Sequence, residues 1–239
     1  MADKYQNVLD ESQVKVDDAT VGAAVKSILD KHLDENRNTE VYKKIFNSID
    51  LTTLKTTDSN QSVADFTERV NAFEHEHADL PEMAAICVYP NFAPVVKTTL
   101  DVSSVKIATV AGCFPTSQSF IEVKVAEVSL AVEGGADEID VVFGVGDYLD
   151  HDYETVCDDL QEMKEACRDA RMKVILETGA LKRAEDIRNA SLLSLYSGAD
   201  FLKTSTGKEY PGASLEAAYV MWKYGQTLNG FMSIIFPDA

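Results

Sequence analysis

Lys203 lies in the segment Ala199-Asp200-Phe201-Leu202-Lys203-Thr204-Ser205-Thr206-Gly207-Lys208. A lysine inside a short apolar run is unusual, because a buried ammonium is costly and tends to neutralise. A neutral lysine amine attacks carbonyl carbons and can hold a substrate as a Schiff base. The run then opens into Thr204-Ser205-Thr206-Gly207-Lys208, a small polar turn suited to an oxyanion or a phosphate. A lysine nucleophile beside an anion turn points to carbon–carbon chemistry on a sugar phosphate. The competing reading is a strand-end lysine that reaches solvent, since one such motif alone is only a hypothesis.

Positioning that lysine requires a regular scaffold, and the pattern from about Ser48 onward supplies one. Strand-like runs at residues 49–54, 84–89, 105–110, 138–143, 173–177, 200–204 and 231–235 alternate with helical stretches. Those stretches cover 61–73, 93–100, 117–133, 154–170, 184–197 and 215–224. The unit recurs every roughly 30 residues, the size of a βα repeat in a parallel sheet. Continuous apolar runs at 84–88 and 174–176 mark strands buried on both faces. Gly134-Gly135 and Ser197-Gly198 close helices and feed the next strand.

Alternating strands and helices build either a doubly wound sheet or a closed barrel. The dinucleotide-binding form of the former would place glycines after its first strand, where Leu51-Thr52-Thr53-Leu54-Lys55-Thr56-Thr57 has none. The polar residues Asp50, Thr52, Cys87, Asp140, Glu177 and Lys203 instead fall near the C-terminal ends of several different strands. That scatter is what a barrel predicts, since barrel sites gather at that face. The expected fold is α/β, a TIM (β/α)8-type barrel cut short after strand seven. Residues 1–47 form an N-terminal helical extension and residues 48–239 the barrel. Within the extension, helices are expected over 21–33, with Thr20 and Asp18 as caps, and over 40–46.

Bulk composition narrows the function classes. The 239 residues are 45% hydrophobic, enough for one sizeable core, and carry a net charge of −18. So acidic a chain is a poor partner for nucleic acid or an anionic membrane, and any phosphate site on it must be locally positive. Cys87, Cys113, Cys157 and Cys167 have no Cys-x-x-Cys spacing and read as free thiols of a reducing compartment. The polar start and the lack of a long apolar segment give the expectation of a cytoplasmic protein without a membrane partner. Glu74-His75-Glu76-His77 is too tight for a metal site on one helix face and reads as a solvated helix end; no metal is expected. Glu165 and Arg168 read as a surface salt bridge.

Five blocks in order carry a resemblance: Ile49-Asp50-Leu51-Thr52-Thr53-Leu54, Ala85-Ile86-Cys87-Val88-Tyr89-Pro90, Ala136-Asp137-Glu138-Ile139-Asp140-Val141-Val142-Phe143, Val174-Ile175-Leu176-Glu177-Thr178-Gly179, and Ala199 to Gly207. Together they resemble the deoxyribose-phosphate aldolases, class I aldolases of the barrel fold. The resemblance implies reversible cleavage of 2-deoxy-D-ribose 5-phosphate to glyceraldehyde 3-phosphate and acetaldehyde, with no cofactor. It implies Lys203 as the Schiff-base lysine, Asp140 as the proton relay and Asp50 as support for the lysine pair. It also implies that Cys87 lines the pocket, although the mechanism does not require it and a buried structural thiol is the better reading of Cys87. Gly207 and Lys208 would contact the phosphate, and Thr52 and Thr206 would join them around the substrate.

The resemblance weakens near the C-terminus. The family carries a second lysine in a Gly-Phe-Lys-Pro-Ala-Gly-Gly segment, where this chain has Gly230-Phe231-Met232-Ser233-Ile234. The eighth strand with its phosphate cradle is also missing from the pattern. Three explanations compete: an incomplete or misread version of a full aldolase, a non-catalytic paralogue that binds or scaffolds a protein, or a barrel closed by a partner strand, as in a homodimer.

Overall fold

The strand sequences dictate two unlike faces, and the fold follows from that difference. The computed structural model describes residues 4–11, 16–225 and 234–235. Its strands are β1 (Asp50–Thr52), β2 (Ala85–Val88), β3 (Lys106–Ala111), β4 (Glu138–Val142), β5 (Arg171–Ile175), β6 (Phe201–Lys203) and β7 (Ile234–Ile235). They form one parallel sheet in chain order, β1 to β7. Successive side chains along a strand point to opposite faces. Ile86, Ile107, Ile139, Val141, Val174 and Leu202 pack into the apolar clusters shared with the helices. The alternate positions face the other way. There, Ala85, Cys87, Ala108 and Val110 make a small cluster of their own, and Asp140, Lys173 and Lys203 are buried charges.

The sheet is curled. Lys173 on β5 reaches Asp50 on β1 at 2.7 Å, although four strand spacings separate them. In a flat sheet those spacings would add up to roughly 19 Å. The contact therefore crosses the interior of a barrel-type wall. The architecture is α/β, with seven strands among the described residues in the (β/α)8 barrel pattern. Of the expected last strand, 231–235, only Ile234–Ile235 lie among the described residues, paired with Leu202 and Lys203 of β6; Met232 lies outside them.

Parallel neighbours need crossover connections, and helices supply them. The chain begins with α1 (Lys4–Glu11), α2 (Asp18–His32) and α3 (Thr39–Phe46). Then come α4 (Asn60–Glu76), α5 (Ala93–Thr99), α6 (Ile121–Gly134), α7 (Val145–Leu149), α8 (Tyr153–Cys167), α9 (Thr178–Leu181), α10 (Ala184–Tyr196) and α11 (Leu215–Gly225). Gly135 stops α6 in a left-handed conformation at φ +105°, and a Cβ there would sit 2.3 Å from the Lys97 side chain. Among the described residues, no helix is long and apolar enough to cross a membrane.

Several local expectations need correction. The first cap of α2 is Asp17, not Asp18 or Thr20: its carboxylate accepts the Thr20 N–H at 2.8 Å. Asp18 instead accepts the Ala184 N–H at 2.7 Å, at the start of α10, where Arg183 makes no capping bond. A carboxylate there satisfies an orphan donor and complements the helix dipole. Helix α6 starts at Ile121 and not at Ser117, because Ser117 is left-handed at φ +59°. Arg168 pairs with Glu133 at 3.6 Å, not with Glu165; its own left-handed backbone at φ +52° ends α8 and takes it off the helical spacing. Helix α1 was not anticipated. It buries Tyr5 and Leu9, and the Tyr5 hydroxyl donates to Asp158 of α8 at 2.6 Å.

Candidate active site

The site forms where the inward positions of β1, β4, β5 and β6 converge. Strand register sets their heights. Asp140 pairs with Lys173 across β4 and β5, and Lys203 pairs with Ile175 across β5 and β6. Lys203 is thus one inward layer nearer the C-terminal mouth than Lys173. The Lys203 ammonium donates to Asp140, the shortest contact in the site, and lies 3.3 Å from Asp50 Oδ2. Lys173 lies 2.7 Å from the same Asp50 oxygen, 2.5 Å from Glu138 and 3.8 Å from Asp140. Two lysines and three carboxylates thus share one interior, with Asp140 and Lys173 completely buried. Removing such charges from water costs several kcal/mol each, so the mutual pairing is what makes the burial tolerable.

Burial pushes the Lys203 ammonium toward neutrality, but the neighbouring Asp140 and Asp50 carboxylates outweigh it and hold its pKa above the usual lysine range. The same balance holds for Lys173, where Asp140, Asp50 and Glu138 oppose burial. The Cys87 thiol is pushed up to about 12 by burial and then by Asp140, so it is uncharged at neutral pH. Its sulfur lies 3.9 Å from Asp140 Oδ2. Asp50 Oδ1 and Asp140 Oδ1 are buried without a hydrogen-bond partner among the described residues.

A cleft of about 240 Å³ opens above this cluster at the C-terminal ends of the strands. Of the residues singled out in the sequence, Thr52, Cys87, Asp140, Lys203, Thr206, Gly207 and Lys208 all line it. Asp50 does not, and bridges the two lysines instead. Lys55 adds a cation to the rim, and Asp140 is the one carboxylate in the lining. A locally positive mouth on so acidic a chain favours an anion. The Lys208 ammonium donates to the Leu54 carbonyl at 2.6 Å, tying the loop after β6 to the loop after β1. Gly207 is left-handed at φ +69°, which a side chain would strain.

The arrangement can do carbonyl chemistry. An amine at the floor of a cleft touches a carboxylate able to take and return protons. Sequence reasoning gave no role to Lys173 or Glu138. The signal for Lys173 was the one used for Lys203, a lysine opening the apolar run Lys173-Val174-Ile175-Leu176. Glu177, noted only as a strand-end polar residue, is buried behind the cleft and bonded to Thr206. The residues 74–77 end α4, with His77 against the Phe73 ring at 4.7 Å. Among the described residues no group of three or more His, Cys, Asp or Glu side chains is arranged to hold a metal ion.

Comparison with known proteins agrees with this geometry. Residues 44–229 match the family described as DeoC/LacD family aldolase. A curated protein of Caenorhabditis elegans named "putative deoxyribose-phosphate aldolase" is 41% identical over 188 residues, or 77% of this chain and 61% of that protein. The chain therefore spans about three fifths of that relative's length. A crystal structure of the same name from Coccidioides immitis superposes with a TM-score of 0.73 at 29% identity, covering 80% of this chain and 72% of that one. A deoxyribose phosphate aldolase from Aeropyrum pernix, described as tetrameric, gives a TM-score of 0.70 over 87% and 82% of the two chains. At 23% identity that last likeness concerns the fold alone. The matched span runs from before β1 to beyond α11 and includes both buried lysines, and this chain belongs to the DeoC/LacD family of aldolases.

Proposed function

We propose that this chain is a class I aldolase acting on 2-deoxy-D-ribose 5-phosphate, with Lys203 as nucleophile. The observation that carries the reading is the Lys203–Asp140 contact at the floor of a lysine-rimmed cleft. The Lys203 ammonium passes a proton to Asp140, and the amine so formed attacks the aldehyde carbon of the open-chain sugar. The carbinolamine loses water, with Asp140 returning a proton to the departing hydroxyl, and an iminium remains. The Asp140 carboxylate, freed of its proton, takes the C3 hydroxyl proton as the C2–C3 bond breaks, and holds it for return to the enamine carbon. The electron pair of that bond flows into the iminium, which becomes an enamine, and glyceraldehyde 3-phosphate departs. Protonation of the enamine carbon and hydrolysis release acetaldehyde and free Lys203. The iminium is the electron sink, so the sequence needs no metal or organic cofactor.

Asp50 shares one oxygen between Lys203 and Lys173 and orients the nucleophile. Thr52, Thr206, Gly207 and Lys208 receive the sugar and its phosphate, with Cys87 as a neutral wall. The four free thiols fit a reducing, cytoplasmic setting. A scaffolding role gives no reason to bury this many charges together at a strand-end cleft.

Acetaldehyde plus borohydride tests the assignment, read by peptide mass spectrometry. The reduced two-carbon adduct is expected on Lys203. Adduct on Lys173 or Lys208, with none on Lys203, would defeat it.

A further inference from the structure

Glu177 is a buried carboxylate that the chemistry above does not use. It does not line the Lys203 cleft, yet it is bonded to a residue that does. Its Oε2 accepts from the Thr206 hydroxyl at 2.5 Å and from the Thr206 N–H at 3.4 Å. The Thr206 hydroxyl oxygen in turn accepts the Lys208 N–H at 3.2 Å. Three groups thus form one chain, from the Lys208 backbone through Thr206 to Glu177. That chain spans Gly207, whose φ of +69° shapes the turn.

The backbone at Glu177 is itself uncommon. Its φ of +52° and ψ of +58° are left-handed, a region that side-chain-bearing residues seldom occupy. Glu177 lies beyond the end of β5, directly before α9, and is flanked by two bonds to the segment leaving β6: Leu176 N–H to Lys203 O at 2.9 Å and Thr178 N–H to Thr204 O at 2.8 Å. A reversal pinned between two such bonds, at the junction of strand and helix, turns the Glu177 side chain toward Thr206. Strain of this kind persists where surrounding structure over-determines it, and it gathers at working sites.

We propose that Glu177 is the positioning residue of the phosphate end of the site. It fixes the Thr206-Gly207-Lys208 turn through Thr206, without touching the substrate. The proposal rests on the aldolase reading for its substrate, but its geometry stands apart from the chemistry at Lys203. Glu177→Ala removes the acceptor and leaves the Thr206 hydroxyl without its partner. Glu177→Gln keeps an acceptor oxygen in the same shape.

Hydrogen–deuterium exchange on the full chain tests the geometry directly. In Glu177→Ala the Thr206 and Lys208 amides should exchange about tenfold faster, the scale of one lost hydrogen bond, with Glu177→Gln close to the parent. Kinetics test the consequence. The KM for 2-deoxyribose 5-phosphate should rise about tenfold in Glu177→Ala, while acetaldehyde trapping on Lys203, which involves no phosphate, keeps its parent rate. Unchanged exchange at both amides would overturn the proposal. So would equal losses of trapping and of phosphate-substrate KM, the mark of general damage. If the parent itself forms no adduct, the aldolase reading fails, and the exchange measurement still decides the role of Glu177.

Discussion

Lys173 and Lys203 are the same residue on adjacent strands, both buried and both held above the usual lysine range by the same aspartates. Their difference is position. Lys173 pairs with Phe201 and Lys203 with Ile175, so one layer of inward side chains separates them. Lys173 is enclosed by Asp50, Glu138 and Asp140. Lys203 touches Asp140 and Asp50 but lines the cleft. Burial and pKa direction therefore do not distinguish a reactive lysine from a structural one here. Access to a carbonyl carbon does, together with a neighbour that can exchange protons.

The sharpest break in this comparison is removal of each lysine in turn. Lys203→Met should abolish both the borohydride adduct and turnover, with the fold retained by circular dichroism. An adduct of parent intensity on Lys173 in that variant would erase the distinction. Lys173→Met should act on stability, costing about 3–5 kcal/mol, because it strands the buried Glu138 carboxylate and leaves Asp50 and Asp140 to Lys203 alone. Lys203→Met should cost less, since Lys173 still faces Asp50 and Asp140; urea unfolding measures both. The pairing energy of each lysine is whole below about 10.4, the unfolded lysine value, and is lost as pH rises through the higher folded values.

Next in size is the proton relay. Asp140→Asn should slow turnover by about a hundredfold or more, with the adduct on Lys203 still possible but slower to form, because the acid–base group is removed and the nucleophile is kept. Turnover near the parent level would assign that step elsewhere. Of similar size is the pH dependence of trapping. With a pKa held high, Lys203 is mostly ammonium at neutral pH, and its free-amine fraction grows about tenfold per pH unit below that value. The adduct rate should climb accordingly from about pH 7 to about pH 9. A flat profile would mean that the resting amine is already neutral.

The parts of this site visible in the sequence were those held by strand periodicity. Lys203 was readable as a charge in an apolar run at the end of β6; Asp140 and Asp50 took their roles from the family resemblance, and the structure sets them inside β4 and at the start of β1 rather than at the C-terminal strand ends. What escaped depended on backbone reversals and on contacts far apart in the chain. Glu177 gained its role from a left-handed φ that no neighbouring residue announces. The start of α6 was misplaced for the same reason at Ser117. Lys173 showed the right local signal, but its enclosure by Glu138 and Asp50 depends on register and curl. Helix α1 offers two buried positions, Tyr5 and Leu9, too few to display a period. The anchor for α10, Asp18, lies 166 residues away in the chain.

The small residues of β2 and β3 bear on how this chain can vary. Ala85, Cys87, Ala108 and Val110 face the interior that the long lysines of β5 and β6 extend into. One wall holds the charge and the opposite wall holds the room. A heavier side chain on the roomy wall takes its space from the ammonium groups and the cleft, not from the apolar packing beneath the helices. Cys87 and Val110 line the cleft itself, so variation there registers first as a change in the shape of the cleft. The inward side of these strands thus shapes the cleft, while the outward side packs against the helices.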